Sequence, residues 1–470
     1  MGTTAIDPEI EANVESFLAD WVTENRIPGA AIAIIEQDHV VYADGFGARN
    51  LEENAPATPD TLFPIGSCTK SFTALAIMQL VEDGAMALDD PLEEYIPHLA
   101  GAAGEPITIE ELLSHTSGMP SDGSALPILS RTLGQGHVEV PLSSDGDFRR
   151  HVADSTDRRV TEREELFYYN SGYTMLGLVI EAVSGTSFSE YVTANVLDPL
   201  GMEQSTFDRE AFESESDRTT AYVSGEDGAA ESAFAFARFV EAPGGLVSSA
   251  SELSRYLRMY LNRGALEGEH IASAEYIDAM TAPIAVKDVQ FGGPSAHYGY
   301  GLMMRDFLDD TLVGHGGSVA VSTAWFGYLQ EAGRGVVLLA STGPDTHPMV
   351  AGPAVLAMLD GAAPAEEIAH YRLREVLERV TGEYEGYRAI TTATVERVGG
   401  SLRVELDNGP LGGTEVLVTP KTSNGEALVG HTVTELGIER EMRFQFGEHG
   451  VDLFFERMRL RKSGTSDPGS

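Results

Sequence analysis

The chain is 470 residues long and 42% hydrophobic, with 73 acidic against 31 basic side chains and a formal net charge of −42. That length predicts two or three domains, each able to bury a core, and with no basic stripe to neutralise phosphates nucleic-acid binding is excluded. The acidity is spread along the whole chain, and its self-repulsion is screened near 1 M salt, where the Debye length falls to about 3 Å. The surface therefore reads as halophilic, adapted to a salty cytosol. No apolar run reaches the ~18 residues of a membrane span, and the first residues lack the basic and apolar regions of a secretory signal. A cytoplasmic protein without membrane partners is expected. Cys68 is the one cysteine, so no internal disulfide can form.

In chain order, residues 8–26 predict an amphipathic helix with Ile10, Val14, Phe17, Leu18 and Val22 on one face. Strands follow at Ala30–Ile35 and Val40–Ala43, joined through Gln37-Asp38-His39. After Gly66 the spacing of Phe72, Leu75, Ala76, Leu80 and Val81 predicts a helix. Residues 84–240 read as helices and polar loops, with a loop over Pro120–Asp147. A helix at Ser251–Asn262 leads into strands Tyr300–Arg305, Thr311–Val313, Thr323–Leu329 and Gly335–Ser341, then a helix near Met349–Leu359. Strands at both ends with helices between predict an α/β domain over residues 1–362, an antiparallel sheet flanked by helices with an all-helical subdomain beside it. Gly361-Ala-Ala-Pro-Ala marks a boundary, and a linker helix is expected over 363–380, its core at Glu366–Arg379. Short alternating stretches such as Leu402–Leu406, Glu415–Val418, Met442–Phe446 and Val451–Phe455 then predict a small all-β barrel or half-barrel over 381–462, before a disordered tail at 463–470.

Three short patterns carry chemistry. Ser67-Cys-Thr-Lys70 sets a hydroxyl and an amine three residues apart, which share one face of a helix. At the first helical turn, free N–H groups and the positive dipole end favour developing negative charge. A lysine normally titrates near ~10.4, but burial and that positive end lower its pKa and make it a usable base. The chain holds four lysines, and only Lys70 has a serine three residues before it. The ordinary alternative for Ser67 is a helix N-cap. Tyr168 and Asn170, two residues apart in an extended segment, can both face a cleft. There a phenol near a lysine can pass protons and a carboxamide can hold a substrate amide; the alternative is a packed aromatic pair and a cap. Val313-Gly-His315-Gly-Gly317-Ser318 lies between two strand-like runs. Its glycines let a ligand backbone approach the sheet edge, where an N–H can stabilise an oxyanion; the alternative is a glycine-rich turn.

Ser-x-x-Lys, Tyr-x-Asn and His-x-Gly in this order resemble the serine β-lactamase and penicillin-binding protein superfamily, and most closely its class C-like esterase and peptidase branch. Leu112-Leu-Ser-His-Thr-Ser-Gly-Met-Pro120, Leu197-Asp-Pro-Leu-Gly-Met202, Gly244-Gly-Leu-Val-Ser-Ser249 and Tyr298-Gly-Tyr-Gly-Leu302 carry the same likeness, over roughly residues 8–360. The resemblance implies that Ser67 is the acylated nucleophile and that Lys70 and Tyr168 are the base pair. It implies that Asn170 contacts the substrate amide and that the Ser67 and Ser318 N–H groups, beside Gly317, form an oxyanion hole. His315 stands where many relatives carry the lysine of Lys-Thr-Gly, and histidine supplies charge only below about pH 6.5 unless shifted. Ester and peptide substrates are therefore expected over β-lactams. His115 is expected to cap a helix and shape the cleft wall. The implied activity is a serine hydrolase with no metal and no cofactor, acting on small esters, peptides or amides through an acyl-serine. An acyltransferase of the same chemistry and a non-catalytic ligand-binding scaffold are its rivals. The C-terminal domain resembles lipocalin-like modules, and that resemblance implies that it narrows the cleft or supports a homo-oligomer.

Overall fold

A computed structural model describes residues 6–97, 106–120, 124–134, 140–156, 158–160, 166–225, 228–289, 293–407, 412–434, 436–448 and 450–463. The expected tail beyond Ser463 lies outside them. The chain divides into two compact units, one running to Gly361 apart from residues 289–294, the other made of those residues and the chain from Ala362.

The first unit is built on an antiparallel sheet fed from both of its ends. Strand Gly29–Glu36, an almost unbroken apolar run, pairs with His39–Asn50 on one side. On the other it pairs with Arg334–Ala340, in register from Ala30↔Ala340 to Glu36↔Arg334. The sheet continues through Thr323–Leu329, Asp310–Ser318, Met303–Phe307 and Ser295–Tyr298 to Ala285–Val289, and ends beyond His39–Asn50 on Ala55–Pro56, nine strands among the described residues. Its central strands are buried on both faces, which is why they lack period-two alternation. Helix Ala250–Leu261 covers one face, where Tyr256 meets Phe326 at a ring separation of 5.7 Å. Helix Pro348–Leu359 covers the other, with Gly352 against the Trp325 ring.

Strand Asp310–Ser318 is longer than the sequence patterning predicts. Gly314, Gly316 and Gly317 read as a turn, yet they pair with Gly327, Trp325 and Ala324 along a continuous ladder. The expected loop over Pro120–Asp147 is also partly helical: Ala125–Thr132 and the start of Asp145–Thr156 lie within it. Pro127 falls in the first turn of its helix, where a missing N–H costs little. Ala125, Pro127 and Ile128 are buried there. Between the two arms of the sheet the chain is mainly helical, as predicted, with two added hairpins among the described residues, Tyr222–Gly225 to Gly228–Glu231 and Ala265–Leu266 to Glu269–His270. No helix among the described residues is long and apolar enough to cross a membrane.

The second unit opens with two helices, Pro364–Glu367 and Ala369–Val380, where one linker helix is expected; the chain breaks at Ile368, which is extended at φ −102° and ψ 115°. Eight strands then close into a barrel with neighbours in chain order, from Gly382–Glu385 round to Met458–Lys462. Alternation sets its inside: in Ser401–Asp407, Leu402, Val404 and Leu406 are buried while Glu405 and Asp407 are exposed. Those side chains join Tyr384, Phe444 and Leu453 in one core, capped by Leu377 and Val380 of the preceding helix.

Candidate active site

Ser67 lies in a single 3-10 turn, Gly66–Cys68, directly ahead of helix Thr69–Glu82. Eleven of that helix's fourteen residues are buried, so it is a core helix whose start is held rigidly. Gly66 has φ +53°, and the turn presses against strand Asp310–Ser318. A Cβ on Gly66 would lie 2.6 Å from Ser318 N, and one on Gly317 would lie 1.9 Å from Ile65 O and 2.9 Å from Ser67 N. Glycine at both positions lets the Ser67 and Ser318 backbones come together. Strand Met303–Phe307 ends its pairing at Met303↔Gly314, leaving one edge of residues 316–318 without a strand neighbour. Val319 N–H bonds Ser322 O on the opposite side. In an alternating antiparallel ladder this turns the Ser318 N–H towards the open edge.

Lys70 is fully buried. Its Nζ lies 2.7 Å from Pro243 O, 2.8 Å from Asn170 Oδ1 and 3.0 Å from Ser67 Oγ. Pro243 lies in the last turn of helix Arg238–Gly244, whose last carbonyls have no partner within the helix; Lys70 takes one and Thr73 Oγ1 takes that of Ala242. Neither carbonyl acceptor can donate. A neutral amine satisfies both with its two N–H bonds and keeps its lone pair for the Ser67 hydroxyl. The faces of Tyr168 and Tyr173, 4.8 Å and 5.5 Å from Nζ, would favour a cation, by about 0.5–2 kcal/mol. Burying an ammonium with no carboxylate partner costs several kcal/mol, so burial wins and holds the Lys70 pKa well below the ordinary lysine range.

The Tyr168 hydroxyl is hydrogen-bonded to Ser67. Burial raises the phenol's pKa and the bond to Ser67 lowers it; burial is the larger cause, so Tyr168 keeps its proton. Ser67 Oγ thus lies within hydrogen-bonding reach of both the phenol and the Lys70 amine. Asn170 is the first residue of helix Asn170–Ser184, capped by Tyr169, and its carboxamide oxygen faces Lys70. A cleft beside Ser67 is lined by Asn170, Ser318 and the apolar Ala125, Leu129, Val240 and Val319. Among the described residues no charged side chain lines it.

His315 is buried, and its ring nitrogens go to the Gly316 carbonyl at 2.6 Å and the Tyr298 hydroxyl at 2.9 Å. Nδ1–H donates to the carbonyl, so Nε2 accepts from the phenol. Burial and the nearby Lys70 push its pKa down to about 3, and the ring is neutral at physiological pH. Cys68 is buried and its thiol donates to the His315 carbonyl. Two participants escaped the sequence analysis. Tyr298 falls in the Tyr-Gly-Tyr-Gly-Leu stretch that carries the family likeness, which flags the segment without giving it a task. The Pro243 carbonyl is a backbone group and has no side-chain signature. Among the described residues no group of three His, Cys, Asp or Glu side chains could hold a metal ion.

The fold is a sheet fed from both chain ends beside a helical region, and the site brings a serine, a lysine and a tyrosine together. The beta-lactamase family model matches residues 10–361, and the chain belongs to that family. Residues 364–461 match the Pab87 octamerisation domain, a narrower description of the barrel than the lipocalin-like expectation. The structure of the octameric penicillin-binding protein homologue from Pyrococcus abyssi is 36% identical, with a TM-score of 0.86, over 96% of this chain and 100% of that one. Protein flp of Staphylococcus aureus is 30% identical over 210 residues, 44% of this chain and 40% of that protein, so the match spans well under half of that relative. Penicillin-binding protein 4 of Amycolatopsis lactamdurans is 28% identical over 67% of this chain and 80% of its own length.

Proposed function

We propose that the protein is a serine hydrolase that acylates Ser67 and releases the acyl group to water, with neutral amides, peptides or esters as substrates. The observation that carries this reading is the hydrogen-bonding of Lys70, two N–H groups on carbonyl acceptors and Ser67 Oγ at 3.0 Å. Lys70 takes the hydroxyl proton as Oγ bonds to the substrate carbonyl carbon, whose π electrons move onto oxygen. The Ser67 and Ser318 N–H groups hold that oxyanion. The proton on Lys70 passes by way of Tyr168 to the departing amine or alcohol as the C–N or C–O bond breaks. Water then loses a proton to the same pair, attacks the acyl-serine, and Ser67 recovers its hydrogen. Asn170 also has an amide N–H pair to offer a substrate carbonyl.

The cleft's apolar lining and the neutral His315 favour uncharged acyl groups over a β-lactam or peptide carboxylate, which would meet no fixed cation among the described lining residues. A panel of esters, D- and L-aminopeptide amides and β-lactams, with trapped protein weighed by mass spectrometry, tests this. We expect turnover of neutral amides or esters, with β-lactams slower by tenfold or more. Equal or faster β-lactam turnover would overturn the substrate reading, and better capture by added alcohols or amines than by water would make the enzyme a transferase.

We also propose that the barrel assembles copies of the chain. Its match to an octamerisation domain supports this, as do Val433 and Leu436, 68% and 85% exposed beside the hairpin joining two barrel strands. Val433→Asp/Leu436→Asp is expected to lower the mass measured by light scattering, while an unchanged oligomer would place the contact elsewhere. The charge of −42 supports a salt requirement. Cooperative thermal unfolding is expected near 1 M salt and loss of cooperativity at low salt; equal melting in both would remove it.

A further inference from the structure

We infer that His115 is the positioning residue for Tyr168, holding the phenol over Ser67 by a two-point grip on the backbone either side of it; this rests on the hydrolase reading above. Residues 166–169 belong to no helix or strand, so no ladder fixes the Tyr168 main chain. His115 supplies the missing partners. Its carbonyl accepts from Phe167 N–H at 2.9 Å and its ring Nδ1 accepts from Tyr169 N–H at 3.1 Å. The same side chain walls the phenol, with the His115 and Tyr168 ring centroids 4.2 Å apart. On the ring's other sides lie Tyr298 at 4.8 Å and Tyr173 at 5.1 Å. The loop that carries His115 grips the preceding stretch too: Gly118 O accepts from Val160 N–H, and Ser117 O from Arg159 Nε, each at 2.8 Å.

Local conformation makes the grip possible. His115 follows helix Ile109–Leu113 with φ +59°, in the left-handed region. That conformation is unfavourable for most side chains but tolerated by Asn, Asp and His. Because Nδ1 accepts a hydrogen bond, the neutral ring carries its proton on Nε2, which is buried and has no partner among the described residues. An unsatisfied buried donor costs about 1–3 kcal/mol. A residue chosen only to end the helix would avoid that cost, so the imidazole is retained for what Nδ1 and the ring face do to residues 167–169. Protonating Nδ1 would break the Tyr169 bond, and burial beside Lys70 keeps the ring neutral.

Two substitutions separate positioning from bulk stability. His115→Phe keeps a flat ring against Tyr168 but has no acceptor for Tyr169 N–H. His115→Asn suits the left-handed backbone and offers Oδ1 as acceptor. Three readouts are compared with wild type: amide hydrogen exchange at Phe167–Tyr169, the rate of Ser67 labelling by a fluorophosphonate, and kcat and KM on the best substrate. We expect His115→Phe to speed exchange at Tyr169 at least tenfold. Its labelling rate and kcat should fall about 10–100-fold, with KM changed less than threefold, while the melting temperature falls only by what Phe in a left-handed backbone costs. His115→Asn should recover most of the lost rate and protection. Equal exchange and labelling in His115→Phe and wild type would overturn the inference, as would losses that His115→Asn does not relieve. If wild type is not labelled at all, the hydrolase reading has failed. Exchange at Tyr169 then still decides whether His115 holds the segment.

Discussion

Ser67→Ala is expected to abolish turnover and covalent labelling while the protein stays folded. Oγ is the only atom removed and Ser67 is partly exposed, so no large cavity forms. The lost hydrogen bonds to Lys70 and Tyr168 put the expected stability change within about 1–2 kcal/mol. The rate, by contrast, loses its covalent route entirely, and losses of about 10⁴-fold or more accompany removal of a nucleophile that works as a unit with its base. A fluorophosphonate should add one mass increment to wild type and none to the variant, with digestion placing it on the peptide containing Ser67. Labelling that survives in Ser67→Ala, or falls on another serine, would move the active site.

Lys70→Met is expected to have the next largest effect. Methionine nearly fills the lysine's volume but has neither a basic nitrogen nor an N–H. Proton transfer by a positioned base is worth roughly 10²–10⁴-fold, and the acylation rate should fall by that amount. Some stability is lost as well, because the Pro243 carbonyl and Asn170 Oδ1 lose their donor, at about 1–3 kcal/mol for each buried group left unpaired. The pH dependence separates the two effects. Burial lowers the Lys70 pKa well below the ordinary lysine range, so the free amine is lost only as pH falls through that depressed value. Wild-type acylation should therefore hold steady from pH 9 down to the acid side and then drop, because protonation removes the lone pair. Lys70→Met should show a low, flat rate without that acid limb. A wild-type rate that keeps climbing towards pH 10 would mean an ordinary, charged lysine.

The parts of the site that reach across a short local spacing were legible in the sequence. Ser67 and Lys70 are one helical turn apart, and the helix that joins them announces itself through Phe72, Leu75 and Leu80. The barrel was legible as alternation, since each strand such as Ser401–Asp407 has one wet face and one dry. What escaped depends on the backbone. The Pro243 carbonyl acts through an atom that every residue possesses, and His115 grips residues 167 and 169 across more than fifty positions. Strand Asp310–Ser318 was foreshortened because its glycines look like a turn, although two of the close approaches at the site depend on glycine. The helix at Ala125–Thr132 is short and contains a proline, so periodicity had little to work with.

Everything in the proposed chemistry requires an uncharged amine at position 70. With four lysines in the chain, selective ¹³C labelling of the lysine side chains gives four Cε signals, and Lys70→Met identifies the one that matters. Following these signals between pH 4 and 11 measures each charge directly. The account predicts that the Lys70 signal is already that of a neutral amine at pH 7 and titrates far below the ordinary lysine value of about 10.4. A Lys70 signal that stays protonated through pH 9 would contradict it, and would leave Ser67 without its base.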